Sequence, residues 1–338
     1  MTSIPMVTRP SALVSIGTPT TRILAIAGLV FAVALPFAVN GYVLGLLTTC
    51  LIASIGAIGL NLLTGTTGLV SLGQSGFLLV GAYSASIAIA DFGLPIPLAL
   101  IAAGLVSGLM SLVVGIPSLR LRELYLAITT LAFALIAEHL ILYADDLTHG
   151  TSGIFLAELK LGPVDLGNDR NLYWFVLALS VLAVVVGLNL LRSRVGRAWL
   201  AIRDHAVAAQ VMGIGLARWK LMSFFVSSLL VGFAGGLMAL QVRFVNTEIF
   251  GVILSIEAIA MIIIGGIGSI AGAVIGAFFV TLLPDLVTAL SGSGGGSFAG
   301  NIYQLRGIAY GVVIIVFLRA APGGLISLWH RAVNYWRI

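Results

Sequence analysis

The stretch "ILAIAGLVFAVALPFAVNGYVLGLLTTCLIASIGAIGLNLLTGTTGLVSLGQSGFLLVGAYSASIAIA" (residues 23–90) contains no Asp, Glu, Lys or Arg. Roughly 20 helical residues cross a bilayer core, so these 68 residues suffice for about three crossings. The run is continuous and rich in Leu, Ala, Ile and Gly, whereas a membrane β-barrel would show segments of about ten residues alternating apolar and polar. Helices remain, because in lipid each can satisfy its own backbone polar groups.

The rest of the chain agrees. Of its 338 residues 60% are hydrophobic and only 9% charged, with a mean hydropathy of +1.16, too little polar surface for a dissolved globule. The formal net charge is +5, but the basic residues sit at the ends of apolar segments, where they orient a membrane protein rather than bind nucleic acid. The single cysteine, Cys50, lies inside an apolar run and can form no internal disulfide. The apolar run 23–39 is longer than a signal-peptide core and leads straight into another, so it reads as a retained span.

Candidate spans are 23–39, 42–63, 69–90, 96–116, 123–143, 172–191, 221–241, 252–265, 270–290 and 303–319. The expected fold is thus an all-α polytopic membrane protein with about ten transmembrane helices. Gly- and Ser-rich "TGTTGLVSLGQSG" and "GGIGSIAGAVIGA" predict broken or re-entrant helices at the third and eighth spans. Thirteen Lys and Arg fall on the side holding both termini, residues 117–122 and residues 192–220, against four on the other. That asymmetry predicts cytoplasmic termini. Residues 1–21 read as a cytoplasmic leader, 22–325 as the transmembrane body and 326–338 as a cytoplasmic tail. The acidic loop 144–171 falls outside, with Tyr173 and Trp174 after it at interface depth. An internal echo links "SIGAIGLNLLTG" (54–65) to "SIEAIAMIIIGG" (255–266), identical at five of twelve positions.

Residues 192–220 hold six of the seventeen basic side chains. Within 196–215, Trp199, Ile202, Ala206 and Ala209 recur at helical spacing, with Arg197 and Asp204 on the opposite face, which predicts a short amphipathic helix ended by Gly213 and Gly215. Such a helix either rests on lipid headgroups or docks its apolar face into a soluble partner.

The segment "VAAQVMG" (207–213) resembles the Ala-Ala-x-x-x-Gly core of the loop by which ABC importer permeases contact their ATPase subunits. Val207 stands where many members carry an acidic residue, and the Leu-Pro ending of some branches is absent. Together with "GLNLLTGTTGLVSLGQSGFLLVGAY" (59–83), "GRAWLAIRDHAVAAQVMGI" (196–214), "AGGLMA" (234–239) and "SIEAIAMIIIGGIGSIAGAVIGA" (255–277), the chain resembles the branched-chain amino-acid (Liv-type) ABC permeases, most closely their LivM-like branch, over residues 40–325. The resemblance implies a subunit of the bacterial or archaeal cytoplasmic membrane that takes up branched-chain or related amino acids. It implies as partners a second permease, two ATPase subunits and an extracytoplasmic solute-binding protein. ATP and Mg would sit on the ATPases and no cofactor on this chain, whose two lysines, Lys160 and Lys220, follow Leu159 and Trp219 rather than the glycine of a phosphate-binding loop. The coupling surface so implied comprises Arg197, Trp199, Ile202, Asp204, Ala208, Ala209 and Gly213.

Polar groups inside a bilayer usually face a cavity or a partner helix. Asn61, Thr64, Gly65, Ser71, Gln74 and Ser75, with Glu257, Gly265 and Gly266, are the candidates for a translocation path. The competing reading for the polar set is helix packing, and for Glu257 a structural hydrogen bond to the Ser- and Gly-rich segment opposite. No catalytic constellation is legible, and the four histidines lack metal-ligand spacing. The alternative function is a self-contained ion-coupled secondary transporter or channel for a small polar solute, driven through Glu257 or Glu138.

Overall fold

Uncharged runs of Leu, Ile, Ala and Val fold into helices here because a helix leaves no backbone donor or acceptor to lipid except at its ends. The computed structural model describes residues 19–118, 123–156, 159–162 and 164–291, together with 311, 312, 315, 324 and 325. The predicted span 303–319, the tail and nearly all of the leader lie outside the described residues. In chain order the helices are α1 (Pro19–Ala38), α2 (Gly41–Thr67), α3 (Gln74–Ala90), α4 (Ile96–Ser118), α5 (Glu123–Tyr143), the single turn α6 (Asp145–Thr148), α7 (Asp169–Arg192), α8 (Arg194–Val211), α9 (Leu216–Val242), α10 (Val252–Gly265) and α11 (Ile270–Ser291). Among the described residues strand is confined to four two-residue pieces, β1 (Ile154–Phe155), β2 (Lys160–Leu161), β3 (Val164–Asp165) and β4 (Phe244–Val245). β1 pairs antiparallel with β4, and β2 with β3.

Among the described residues six helices are long and apolar enough to cross a membrane: Gly41–Thr67, Ile96–Ser118, Tyr125–Tyr143, Asp169–Arg192, Leu216–Val242 and Thr247–Gly265. Three more apolar helices are shorter, Ala27–Ala38, Gln74–Ala90 and Ile270–Leu286. The third span is shorter than expected: 69–90 becomes helical only at Gln74, because Gly68 takes φ 77° and ends α2, and residues 69–73 continue without helix. The eighth and ninth spans part at Gly266 and Gly268, at φ 125° and 86°. Left-handed backbone costs an L-residue roughly 1–2 kcal/mol, so glycine at these positions places the breaks.

α9 runs through the middle of the bundle and packs on α2, α3 and α4. Lipid is as apolar as Leu, so helices associate by close packing of small residues rather than by hydrophobic exclusion. A Cβ at Gly59 would stand 2.9 Å from the Ser227 carbonyl oxygen, and one at Gly104 3.0 Å from that of Leu229. Buried Ser107 donates to the Phe77 carbonyl (3.1 Å) across the α3–α4 seam. α1 is the outlying helix, tied to α7 by Tyr173, whose hydroxyl donates to the Ala32 carbonyl (2.8 Å). Tyr173 is 1% exposed, so it serves as an interhelical tie. Trp174 instead stacks edge-on with Phe37, 6.2 Å between ring centroids. At the same end the 144–171 loop is held by β1 on β4, by Arg243 donating to the Gly167 carbonyl, and by His149 3.7 Å from Asp91.

Candidate functional site

The two helix breaks lie against each other's neighbours, and the polar residues singled out in the sequence sit at them. Asn61 projects from α2, 2% exposed, and uses both ends of its amide on the second break. Its Nδ2 donates to the Ser269 carbonyl (2.8 Å), and its Oδ1 accepts the N–H of Gly268 (2.8 Å). One turn on, Gly65 leaves room for that loop: a Cβ there would come 2.6 Å from Gly268 N and 2.8 Å from Gly268 Cα. Gly265 opposes Gly272 and Gly276 of α11 at backbone contact, and Gly324 packs on Gly266, 2.6 Å from a would-be Cβ to the Gly266 Cα.

The first break is anchored differently. Gln74 Nε2 donates to the Gly56 carbonyl of α2 (3.1 Å), and the Ser75 N–H and hydroxyl both meet Ser255 Oγ of α10 (2.9 and 3.0 Å). Leu72 N–H donates to Thr130 Oγ1 of α5 (2.9 Å), Ser71 Oγ accepts the N–H of Gly73 (3.3 Å), and Thr64 Oγ1 donates to the Leu69 carbonyl (3.0 Å). Asn61, Ser71, Gln74, Ser75 and Ser255 are all buried. A buried polar group left unpaired costs about 1–3 kcal/mol; the bonds of Ser71 and Thr64 satisfy groups within the broken segment itself, whereas those of Thr130, Gln74 and Ser255 tie it to α5, α2 and α10. Thr64, Ser71, Gln74 and Ser75 thus gather at one break, and Asn61, Gly65, Gly265 and Gly266 at the other.

Glu257 is half-buried on α10 and has no hydrogen bond among the described residues. The bond expected of it toward the Ser-rich segment opposite is made two residues earlier, by Ser255. Glu138 is half-buried on α5, far along the chain from both breaks, and the neighbouring His139 Nδ1 lies 2.8 Å from the Leu135 carbonyl.

The 192–220 loop begins with a tight reversal. Ser193 caps α8, its Oγ accepting the N–H of Val195 (3.1 Å), and Gly196 fits beneath the end of α7, where a Cβ would stand 2.6 Å from the Leu190 carbonyl oxygen. The single amphipathic helix expected over 196–215 is in fact α8 with an interruption at His205 (φ −153°, ψ 89°). Before it, the apolar face is covered by the chain's own α2, α7 and α9. Trp199 and Ile202 are buried, and Trp199 Nε1 donates to the Trp219 carbonyl (3.0 Å). Arg197 lies on the exposed side, Nη1 donating to the Arg192 carbonyl (2.9 Å), and Asp204, about two turns further on, is exposed as well. Beyond His205 Ala209 is buried, while Ala208 and Gly213 are exposed together with Val207, Val211 and Met212. Gly213, at φ 85°, ends the segment as its position predicts. Gln210, Leu216, Arg218 and Lys220 line an open cleft alongside.

Three residues that sequence reasoning passed over matter here. Ser255 had a signal, since it is the counterpart of Ser54 in the internal echo. Thr130 had none. Arg203 registers in the sequence only as charge, yet its Nη1 donates to the Gly65 carbonyl at the end of α2. No three His, Cys, Asp or Glu side chains come together among the described residues, and the arrangement offers rigid backbone bracing rather than reactive groups.

Comparison with known proteins places this architecture. A model of the family described as branched-chain amino acid transport system / permease component matches residues 42–318. The chain is 33% identical over 290 residues to the high-affinity branched-chain amino acid transport system permease protein LivM of Salmonella typhimurium, covering 79% of this chain and 68% of that protein. The Escherichia coli protein of the same name matches to the same extent. A probable branched-chain amino acid transport permease protein LivH of Methanocaldococcus jannaschii is 28% identical over 286 residues, covering 81% of this chain and 89% of that one.

Proposed function

The chain belongs to the branched-chain amino acid transport system permease family, and from that premise we propose that it is a membrane permease subunit of an ATP-driven importer for branched-chain or related amino acids. It works with a second permease of the same family, two ATPase subunits and an extracytoplasmic binding protein, in the cytoplasmic membrane of a bacterium or archaeon. The bundle has about ten spans with both termini cytoplasmic, and the pathway runs beside the two helix breaks.

The observation that carries this reading is the exposure of Val207 (77%), Val211 (82%) and Met212 (83%) on the loop richest in basic residues. An exposed apolar patch outside the membrane-length helices marks a protein or membrane interaction site. Here it lies beyond the kink of α8, on the segment whose Ala208 and Gly213 belong to the motif described above. Polar residues at the breaks are committed to backbone or, for Ser75 and Ser255, to each other, which suits a subunit that binds its cargo weakly and leaves selection to the binding protein.

The experiment is a pull-down of the partner ATPase from membranes by the tagged full chain, wild type against Val211→Asp with Met212→Asp. Loss of the ATPase from the double variant, with unchanged expression and gel-filtration profile, is the expected result. Undiminished capture overturns the docking assignment. Uptake of labelled leucine by vesicles that contain this chain alone, without ATP, would establish the ion-coupled alternative instead.

A further inference from the structure

The last four carbonyls of a helix have no partner within it, and those at the end of α2 face the loop that contains α8. Side chains serve two carbonyls a turn earlier: Thr66 donates to Leu62, and Thr67 to the Leu63 carbonyl (2.6 Å). The Gly65 carbonyl is taken by Arg203, which comes from a different element, with its Cγ 3.7 Å from where a Cβ of Gly68 would sit. The stem of Arg203 therefore lies over the turn that ends α2, and its guanidinium closes the helix terminus, where the helix dipole favours a cation.

The same Gly65 is the residue that touches the second break. Its Cα faces Gly268 closely enough to exclude any side chain, and Asn61, one turn back, holds both Gly268 and Ser269 by the backbone. Arg203, Gly65, Gly268 and Asn61 thus form a continuous run of contacts from α8 to the α10–α11 break. On the α8 side the run starts in a firm element, since Trp199 is fully buried and bonded to Trp219. That firm part of α8 stops at the kink of His205, two residues before the exposed Val207, with Val211 and Met212 beyond it.

We propose that Arg203 is the positioning residue that links the ATPase-facing loop to the break at 266–269, so that displacement of α8 is delivered through the Gly65 carbonyl to the junction of α10 and α11. This rests on the reading of the loop as the ATPase contact. Without the guanidinium the loop still docks, but its movement is no longer passed to the break. Coupling of this kind between two sites changes a response by roughly 5- to 150-fold, and the linkage concerns movement rather than nucleotide chemistry, which is on another subunit.

The test uses the assembled importer in proteoliposomes, with Ile267→Cys, an exposed position in the break, carrying a fluorescent maleimide, and ATP with vanadate as the probe. The parent complex is expected to show a nucleotide-dependent change in label signal. Arg203→Ala is expected to bind ATPase and hydrolyse ATP near the parent rate while the signal change falls roughly tenfold. Arg203→Gln, which keeps a donor of shorter reach, is expected to lose the signal too, so a folding defect in the first variant does not hide the answer. A full signal change in either variant overturns the proposal, as does a parent complex with no change at Ile267. Parallel loss of ATPase binding and signal means Arg203 is merely structural and overturns it as well. If the parent chain binds no ATPase at all, the reading of the loop has failed, and that is seen before any Arg203 variant is measured.

Discussion

Residues 68–73 and residues 266–269 both interrupt a pair of helices after a glycine-rich end, and the helices before them share the Ser-Ile-x-Ala-Ile pattern, yet the two breaks are held by different means. The first is a stretch of five residues without helix after Gly68, its groups distributed among Thr130 of α5, Gly56 of α2 and Ser255 of α10. The second is a tight turn with two positive-φ glycines, gripped by one amide and otherwise lined by backbone. Similar sequence therefore leads to a dispersed support in one place and a concentrated one in the other. A concentrated support fails when one residue is changed, whereas a dispersed one yields piecemeal.

The largest effect is expected where backbone meets backbone. A Cβ at Gly265 would lie 2.6 Å from the Gly272 carbonyl carbon and 3.1 Å from Gly276 N, and neither can retreat without parting α10 from α11. Gly265→Ala should cost about 3 kcal/mol or more, read as a large drop in melting temperature of the detergent-solubilised chain. Gly45→Ala, with nothing within 4 Å, should melt like the parent. Equal melting of the two variants would show that the second break is not close-packed.

Next comes the contrast between the two amides. Asn61→Leu removes two hydrogen bonds and strands the Gly268 N–H and Ser269 carbonyl; Gln74→Leu removes the single bond to Gly56. Interhelical bonds in membranes average about 0.6 kcal/mol, and stranded buried groups cost more. Asn61→Leu is therefore expected to destabilise by about 2 kcal/mol and Gln74→Leu by about half that. The reverse order in thermal melting would mean that the first break, not the second, is the concentrated one.

Much of this was legible without coordinates, and the part that was not has a physical reason. Continuous apolar runs establish helical spans because length alone decides crossing, and the Gly-Ser stretches at 64–76 and 265–277 mark the breaks because positive φ favours glycine. Pairings such as Asn61 with Ser269 join residues 208 apart in sequence, and no local pattern encodes them. The period of Trp199 and Ile202 announces an apolar face but is silent on what covers it; here it is the chain's own α2, α7 and α9. Nothing in the propensity of His205 foretells the kink. The glycines announce a break before α3, but the five residues without helix are held in part by Thr130, a residue inside an unremarkable apolar helix.

That Thr130 contact is the mildest way to probe the comparison. Thr130→Val keeps the shape that packs against Gly73 and removes the acceptor for the Leu72 N–H, 2.9 Å away, together with the hydroxyl's own bond to the Ala127 carbonyl one turn back in α5, an oxygen that also lies within the helix's backbone ladder. Because the remaining supports of 68–73 come from two other helices, the loss should stay near 1 kcal/mol and remain local. Hydrogen exchange at the Leu72 amide should then rise by about fivefold, while the Gly268 amide, protected by Asn61, exchanges as before. A rise at both amides would mean that the two breaks open together, which requires the bonds of Ser75 to Ser255 on α10 to lock them into one unit rather than merely to place them side by side.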